Sequence, residues 1–191
     1  MLCASVAECR DFLAPAGLGL DRQLRLTDQG AWDGLVARYY LVDRPDLDLP
    51  DLSRQLLDWL PQGRERLLLV SNWTDDSIDQ PYVFEALRRG AGAQRGLREA
   101  PGQIFTASKE PGTDYENRPA LDVAEESVAM WLTGLMLDWT WEGYVAVAGS
   151  ADAIWLGDGF FRLLAASAES QARAMRLLDG SSLRYTVKFP W

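Results

Sequence analysis

The stretch Leu137-Asp-Trp-Thr-Trp-Glu-Gly-Tyr-Val-Ala-Val-Ala-Gly-Ser-Ala-Asp-Ala-Ile-Trp-Leu-Gly-Asp-Gly-Phe-Phe161 decides how this chain folds. Within it, Asp158-Gly159 is the strongest short hairpin signal in the sequence, a two-residue turn whose positive φ glycine adopts without a Cβ clash. Closing the chain there sets Gly157 against Phe160, Leu156 against Phe161, Trp155 against Arg162 and Ile154 against Leu163. A second turn over Gly149–Asp152 sets Ala148 against Ala153 and Val147 against Ile154. Side chains on a strand alternate between faces, so the two turns sort the stretch into two surfaces. Val145, Val147, Ile154, Leu156, Phe161 and Leu163 form one, an aliphatic core layer. Tyr144, Ala146, Ala148, Trp155, Phe160 and Arg162 form the other, an aromatic platform with alanines between the rings. Trp155 directly across from Arg162 fits a cation–π pair worth about 0.5–1 kcal/mol at an exposed site. The alanines leave room for a covering helix, and the rings suit a ligand or partner, so both readings of this second face stand.

Working outward, Ser5 to about Ala14 reads as a first helix, closed by Pro15 and Gly17. Residues 28–42 are ambiguous, with a front half that suits a helix and a β-rich end. Pro45–Pro50 reads as a turn-rich bridge. Asp51 is expected to cap a helix over Leu52–Leu60, where Leu52, Leu56, Leu57 and Leu60 follow helical spacing and Pro61 ends the run. Arg66–Trp73 is an apolar run of strand length and reads as a central strand. A helix is expected near Tyr82–Arg89. The basic loop Arg88–Arg98 carries Gly90, Gly92 and Gly96 but lacks the Lys-Ser/Thr ending of a phosphate loop, so it reads as solvated loop.

The longest helix is expected over residues 119–138, where Leu121, Ala124, Val128, Trp131, Leu132, Leu135 and, just beyond, Trp139 share a face. Asp122, Glu125 and Glu126 in its first turns suit the helix dipole. Ser167 is expected to cap a helix reaching about Leu178 and ended by Asp179-Gly180. Leu183–Phe189 alternates strictly and reads as an edge or near-edge antiparallel strand. The sum is an α+β fold, one globular domain over residues 1–191, with a mainly antiparallel sheet of about five or six strands and helices packed on it.

Charge and composition bound the function. The net charge is −9, and the cations are 17 Arg with only Lys109 and Lys188. An acidic chain is a poor match for phosphate backbones, which demand a cationic footprint, so no nucleic-acid partner is expected. A basic protein partner suits it better, although acidity also serves solubility. Histidine is absent. That removes the Ser-His and Cys-His dyads, His-bearing zinc sites and the usual near-neutral base. Cys3 and Cys9 read as reduced thiols, and no cofactor or metal motif is present. No basic leader or span of roughly 18 apolar residues is found, so a cytoplasmic protein with no membrane partner is expected.

Two functional classes follow. The first is an acidic binding protein, most concretely an immunity or inhibitor protein that neutralises a cationic bacterial toxin or effector. Eight Trp exceed what a core of this size usually holds, and aromatics with Arg dominate binding hot spots. Its candidate contact residues are Trp73 with Asp75, Asp76 and Asp79, the loop holding Glu110, Asp114 and Glu116, and the platform of Tyr144, Trp155, Phe160 and Arg162. The Ala/Arg/Leu/Gly-rich, Lys-poor usage suits a GC-rich bacterial genome. The alternative is a small glycoside-acting hydrolase working through a carboxylate pair, drawn from Asp75 with Asp76, Asp138 with Glu142, or Asp152 with Asp158.

Overall fold

A computed structural model describes residues 2–21, 25–27, 33–38, 47–70, 96–99, 133–134, 136–137, 142–157, 159–181, 183 and 185–188. Within these residues the fold is α+β. One antiparallel sheet has eight strands where five or six were expected. In chain order they are β1 (Leu2–Ala4), β4 (Asp33–Arg38), β5 (Arg66–Val70), β6 (Gly96–Glu99), β7 (Gly143–Val147), β8 (Ala153–Gly157), β9 (Phe160–Ala165) and β10 (Tyr185–Lys188). Their spatial order is β1-β6-β5-β7-β8-β9-β4-β10. A separate two-stranded hairpin joins β2 (Gly19–Leu20) to β3 (Leu26–Thr27).

The meander β7-β8-β9 is the centre of the sheet. The connection between β8 and β9 gives the expected register, with Trp155 opposite Arg162 and Leu156 opposite Phe161; Gly159 in it has φ 74°. The preceding turn differs from expectation. Val145, not Val147, stands opposite Ile154, and Ala146, not Ala148, opposite Ala153. The Ser150 N–H donates to the Val147 carbonyl at 3.1 Å, and Gly149 at φ 65° closes that tight turn before Ala151 and Asp152 lead into β8. The displacement is an even number of residues, so every side chain keeps its face.

Register then aligns residues in rows across the sheet. Leu68, Val145, Ile154 and Leu163 make one row of the first face, and Gly143, Leu156 and Phe161 lie along the next. The buried side chains of β9 alternate in step, Phe161, Leu163 and Ala165 inward. Two helices cover this face: α2 (Leu49–Trp59) through Leu52, Leu56, Leu57 and Trp59, and α3 (Ala168–Gly180) through Ala174 and Leu178. The Trp59 indole N–H donates to the Ser170 carbonyl at 3.1 Å, fixing one helix on the other.

The start of α2 corrects the sequence reading. Asp48, not Asp51, is the N-cap, its carboxylate accepting the Asp51 N–H at 2.9 Å. Pro50 lies inside the first turn, where a residue without an N–H removes no helical hydrogen bond. At the other end Gln62 donates to the Leu57 and Leu60 carbonyls, both at 2.7 Å, which satisfies acceptors the helix leaves open. α3 starts at Ser167 as expected, in a reciprocal cap with Ser170, and runs on through Gly180.

α1 (Val6–Leu13) is capped by Ser5 and Glu8 in a capping box, and a 3-10 turn over Ala14–Ala16 follows, closed by Gly17 at φ 74°. The ambiguous segment resolves as β4 at Asp33–Arg38, seated between β9 and the edge strand β10. The solvated-loop reading of Arg88–Arg98 is corrected at its end, where Gly96–Glu99 is β6, paired with both β1 and β5. An interior strand needs backbone partners on both sides, and β6 supplies those of β5. Of the long helix expected over 119–138, Thr133, Gly134, Met136 and Leu137 are described and helical. Met136 and Leu137 are buried in the first-face core. The helix expected at Tyr82–Arg89 and the Pro190-Trp191 end lie outside the described residues. Among the described residues no helix is long and apolar enough to cross a membrane.

Candidate functional site

On the second face the rows differ in kind. Leu67, Ala146, Ala153 and Leu164 form one. α1 and the β2–β3 hairpin close over it, with Cys9, Leu13, Leu18 and Leu26 packed into the same buried cluster. Small alanines let that layer approach closely. Leu69, Tyr144, Trp155 and Arg162 form the neighbouring row. Here Tyr144, Trp155 and Arg162 are only half-buried, as is Phe160. The second face is therefore covered over Leu67, Leu69, Ala146 and Ala153 and left partly open over Tyr144, Trp155 and Arg162, with Leu164 half-buried at the border.

The Arg162 guanidinium carbon sits 4.8 Å from the centroid of the Trp155 ring. This is the expected cross-strand cation–π pair. Phe160 packs against the same indole at 5.2 Å between centroids, tilted by 50°. Gly157, two residues on along β8 and opposite Phe160, is the bare position beside this group. A Cβ built there would lie 3.0 Å from Trp155 Cζ2 and 3.0 Å from Glu142 Cγ. The indole and the Glu142 stem thus both rest over the glycine.

Tyr144 marks the border between covered and open rows. Burial holds its phenol above the ordinary value of 10.0, with Asp21 and Glu142 adding to the rise and Arg25 and Arg162 opposing it. Charges of both signs therefore surround the phenol. Asp21 and Arg25, on the strand–strand connection of the small hairpin, carry no sequence signal for this role, because only the folded chain brings them to Tyr144.

The other candidates separate clearly. Trp73, Asp75, Asp76, Asp79, Glu110, Asp114 and Glu116 lie outside the described residues, as do Asp138, Asp158, Asp122, Glu125 and Glu126. Glu142 is exposed beside the platform. Asp152 is buried and serves the fold: its carboxylate accepts the Ala166 N–H at 2.8 Å and pairs with Arg173 at 3.3 Å, tying the β7–β8 turn to the start of α3. Cys9 is buried, its thiol directed at the Ala4 carbonyl at 3.8 Å. Among the described residues no group of three His, Cys, Asp or Glu side chains could hold a metal ion.

No protein-family model, no characterised protein and no solved structure matches the chain.

Proposed function

We propose that this chain is an acidic binding protein acting in the cytoplasm, an immunity or inhibitor protein that neutralises a cationic bacterial toxin or effector by direct contact. The observation that carries the proposal is the row Tyr144–Trp155–Arg162 with Phe160, three aromatic side chains and a stacked guanidinium left half-open on a sheet. Aromatic side chains present a large contact area on only two rotatable bonds, and with Arg they dominate contact hot spots. The net charge of −9 favours a basic partner and speeds its approach. A sheet interior also suits the role, since binding surfaces built on regular elements hold their geometry without an ordering cost.

Affinity capture from the native lysate at low salt, repeated at about 0.5 M salt where exposed charges are screened, tests the proposal. The expected result is one basic enzyme, retained at low salt, inactive in the complex and lost from Trp155→Ala and Arg162→Ala baits. Capture of a partner that both variants still retain would refute the platform as the contact face. Absence of any partner whose activity the chain suppresses would refute the inhibitor role.

A further inference from the structure

We propose that Gly157 is the positioning residue of the platform: its missing side chain is what lets the Trp155 indole lie down along β8 beneath the Arg162 guanidinium. The role in partner binding rests on the contact face proposed above. Gly157 is the last residue of β8 and is not among the glycines with positive φ, so left-handed backbone freedom does not account for it. Its justification lies in the space above it. A Cβ there would stand 3.0 Å from Trp155 Cζ2 and 3.3 Å from Cη2, and 3.0 Å from Glu142 Cγ. All three are nearer than ordinary van der Waals contact, so even one carbon moves both side chains.

The consequence reaches the rest of the group through the ring. An aromatic ring is electron-rich on its face, where Arg162 sits at 4.8 Å, and that attraction weakens once the ring tilts or lifts. Phe160, opposite Gly157 in the register and 5.2 Å from the indole, holds the ring from the turn side. A residue larger than glycine at 157 therefore disturbs three members of the platform together while leaving the first-face core, on the other side of the sheet, untouched.

Fluorotryptophan-labelled protein gives eight fluorine NMR signals, one for each Trp, and Trp155→Phe identifies that of Trp155. In Gly157→Val the Trp155 signal is expected to move while that of Trp59, in the first-face core, holds, and Gly157→Ala should move it by less. Gly157→Ala demands only a few tenths of an ångström of adjustment, so it remains a test if the Val variant fails to fold. An unmoved Trp155 signal in a folded variant overturns the positioning role. Affinity for the captured basic partner is measured on the same samples. A moved signal with affinity reduced by about tenfold or more, the scale of a disturbed aromatic anchor, supports the inference. A moved signal with unchanged affinity overturns the contact face instead, and with it any role for Gly157 in binding.

Discussion

Substituting Gly143 by Ala tests how closely the sheet core is packed. A Cβ at Gly143 would lie 2.5 Å from the Leu69 carbonyl oxygen and 2.7 Å from Met136 Sδ. The thioether has three rotatable bonds and can move aside. The carbonyl cannot, because it belongs to β5, held against β7 through the pairs from Arg66 with Val147 to Val70 with Gly143. Overpacking of this kind costs about 1–3 kcal/mol, and a contact that must push neighbouring strands apart belongs at the upper end. Ala recovers about 0.5–1 kcal/mol through the less flexible unfolded chain, leaving a net loss of about 2 kcal/mol. With a urea slope of about 2 kcal/mol/M, the midpoint should fall by about 1 M. Gly134→Ala is the control: the same change in a helix, where among the described residues Cβ meets the Ser53 hydroxyl at 3.3 Å. Helical Gly→Ala gains roughly 0.5–1 kcal/mol, so that variant should be neutral or more stable. A midpoint for Gly143→Ala within about 0.2 M of the parent would refute the reasoning that this backbone approach is rigid.

Three further outcomes follow from single groups. Asp48→Ala should cost about 1 kcal/mol by removing the α2 cap, and Asp51→Ala less than about 0.5 kcal/mol, since the exposed Asp51 side chain bonds Arg54 and Gln55 on its own helix; urea melts of the pair decide which aspartate is the cap. Asp152→Ala should cost about 2 kcal/mol, and Asp152→Asn roughly half of that because an amide oxygen can still accept the Ala166 N–H; equal losses in thermal melts would disprove that ranking. The phenol of Tyr144 is held above 10.0, chiefly by burial, so the folded state keeps its proton longer than the unfolded chain does. Its contribution is complete below pH about 10 and is lost as pH rises through the folded value, so Tyr144→Phe should flatten the alkaline decline in urea stability between those limits.

The sequence read well wherever one local rule had no competitor. Asp158-Gly159 specified its turn through the φ that glycine allows, and period-two alternation then assigned Val145, Ile154, Phe161 and Leu163 to one face and Trp155 and Arg162 to the other. Rules in competition gave the errors. Asp48 and Asp51 are both sound caps, and Pro50 between them looked like a boundary although a first-turn proline is harmless. Gly149-Ser-Ala-Asp152 offered no two-residue signature, so hydrogen bonding from Ser150 to Val147, invisible in composition, fixed the register. β6 was hidden in a Gly- and Arg-rich segment because its strand state comes from the pairing needs of β1 and β5, not from its own propensity. The cation–π pair was legible from register alone, whereas the placing of Asp21 and Arg25 near Tyr144 depends on how the small hairpin docks.

Under the proposed function the work of binding divides between long-range charge and short-range packing. Net charge acts at long range and governs encounter, whereas a packed ring or guanidinium acts only after contact and governs escape. The two contributions reside in different residues. Asp75, Asp76 and Asp79 bring negative charge, and Trp155 and Arg162 contribute a stacked surface on β8 and β9. Asn at the three aspartates should therefore slow association with the basic partner and flatten its salt dependence, with little change in the dissociation rate. Trp155→Ala should do the reverse, raising the dissociation rate by about tenfold or more at nearly unchanged association rate. Arg162→Lys is the sharper case. It keeps the charge but loses the planar group that stacks on the indole, so a dissociation rate as slow as the parent's would mean that charge alone, and not the stacked pair, makes the contact.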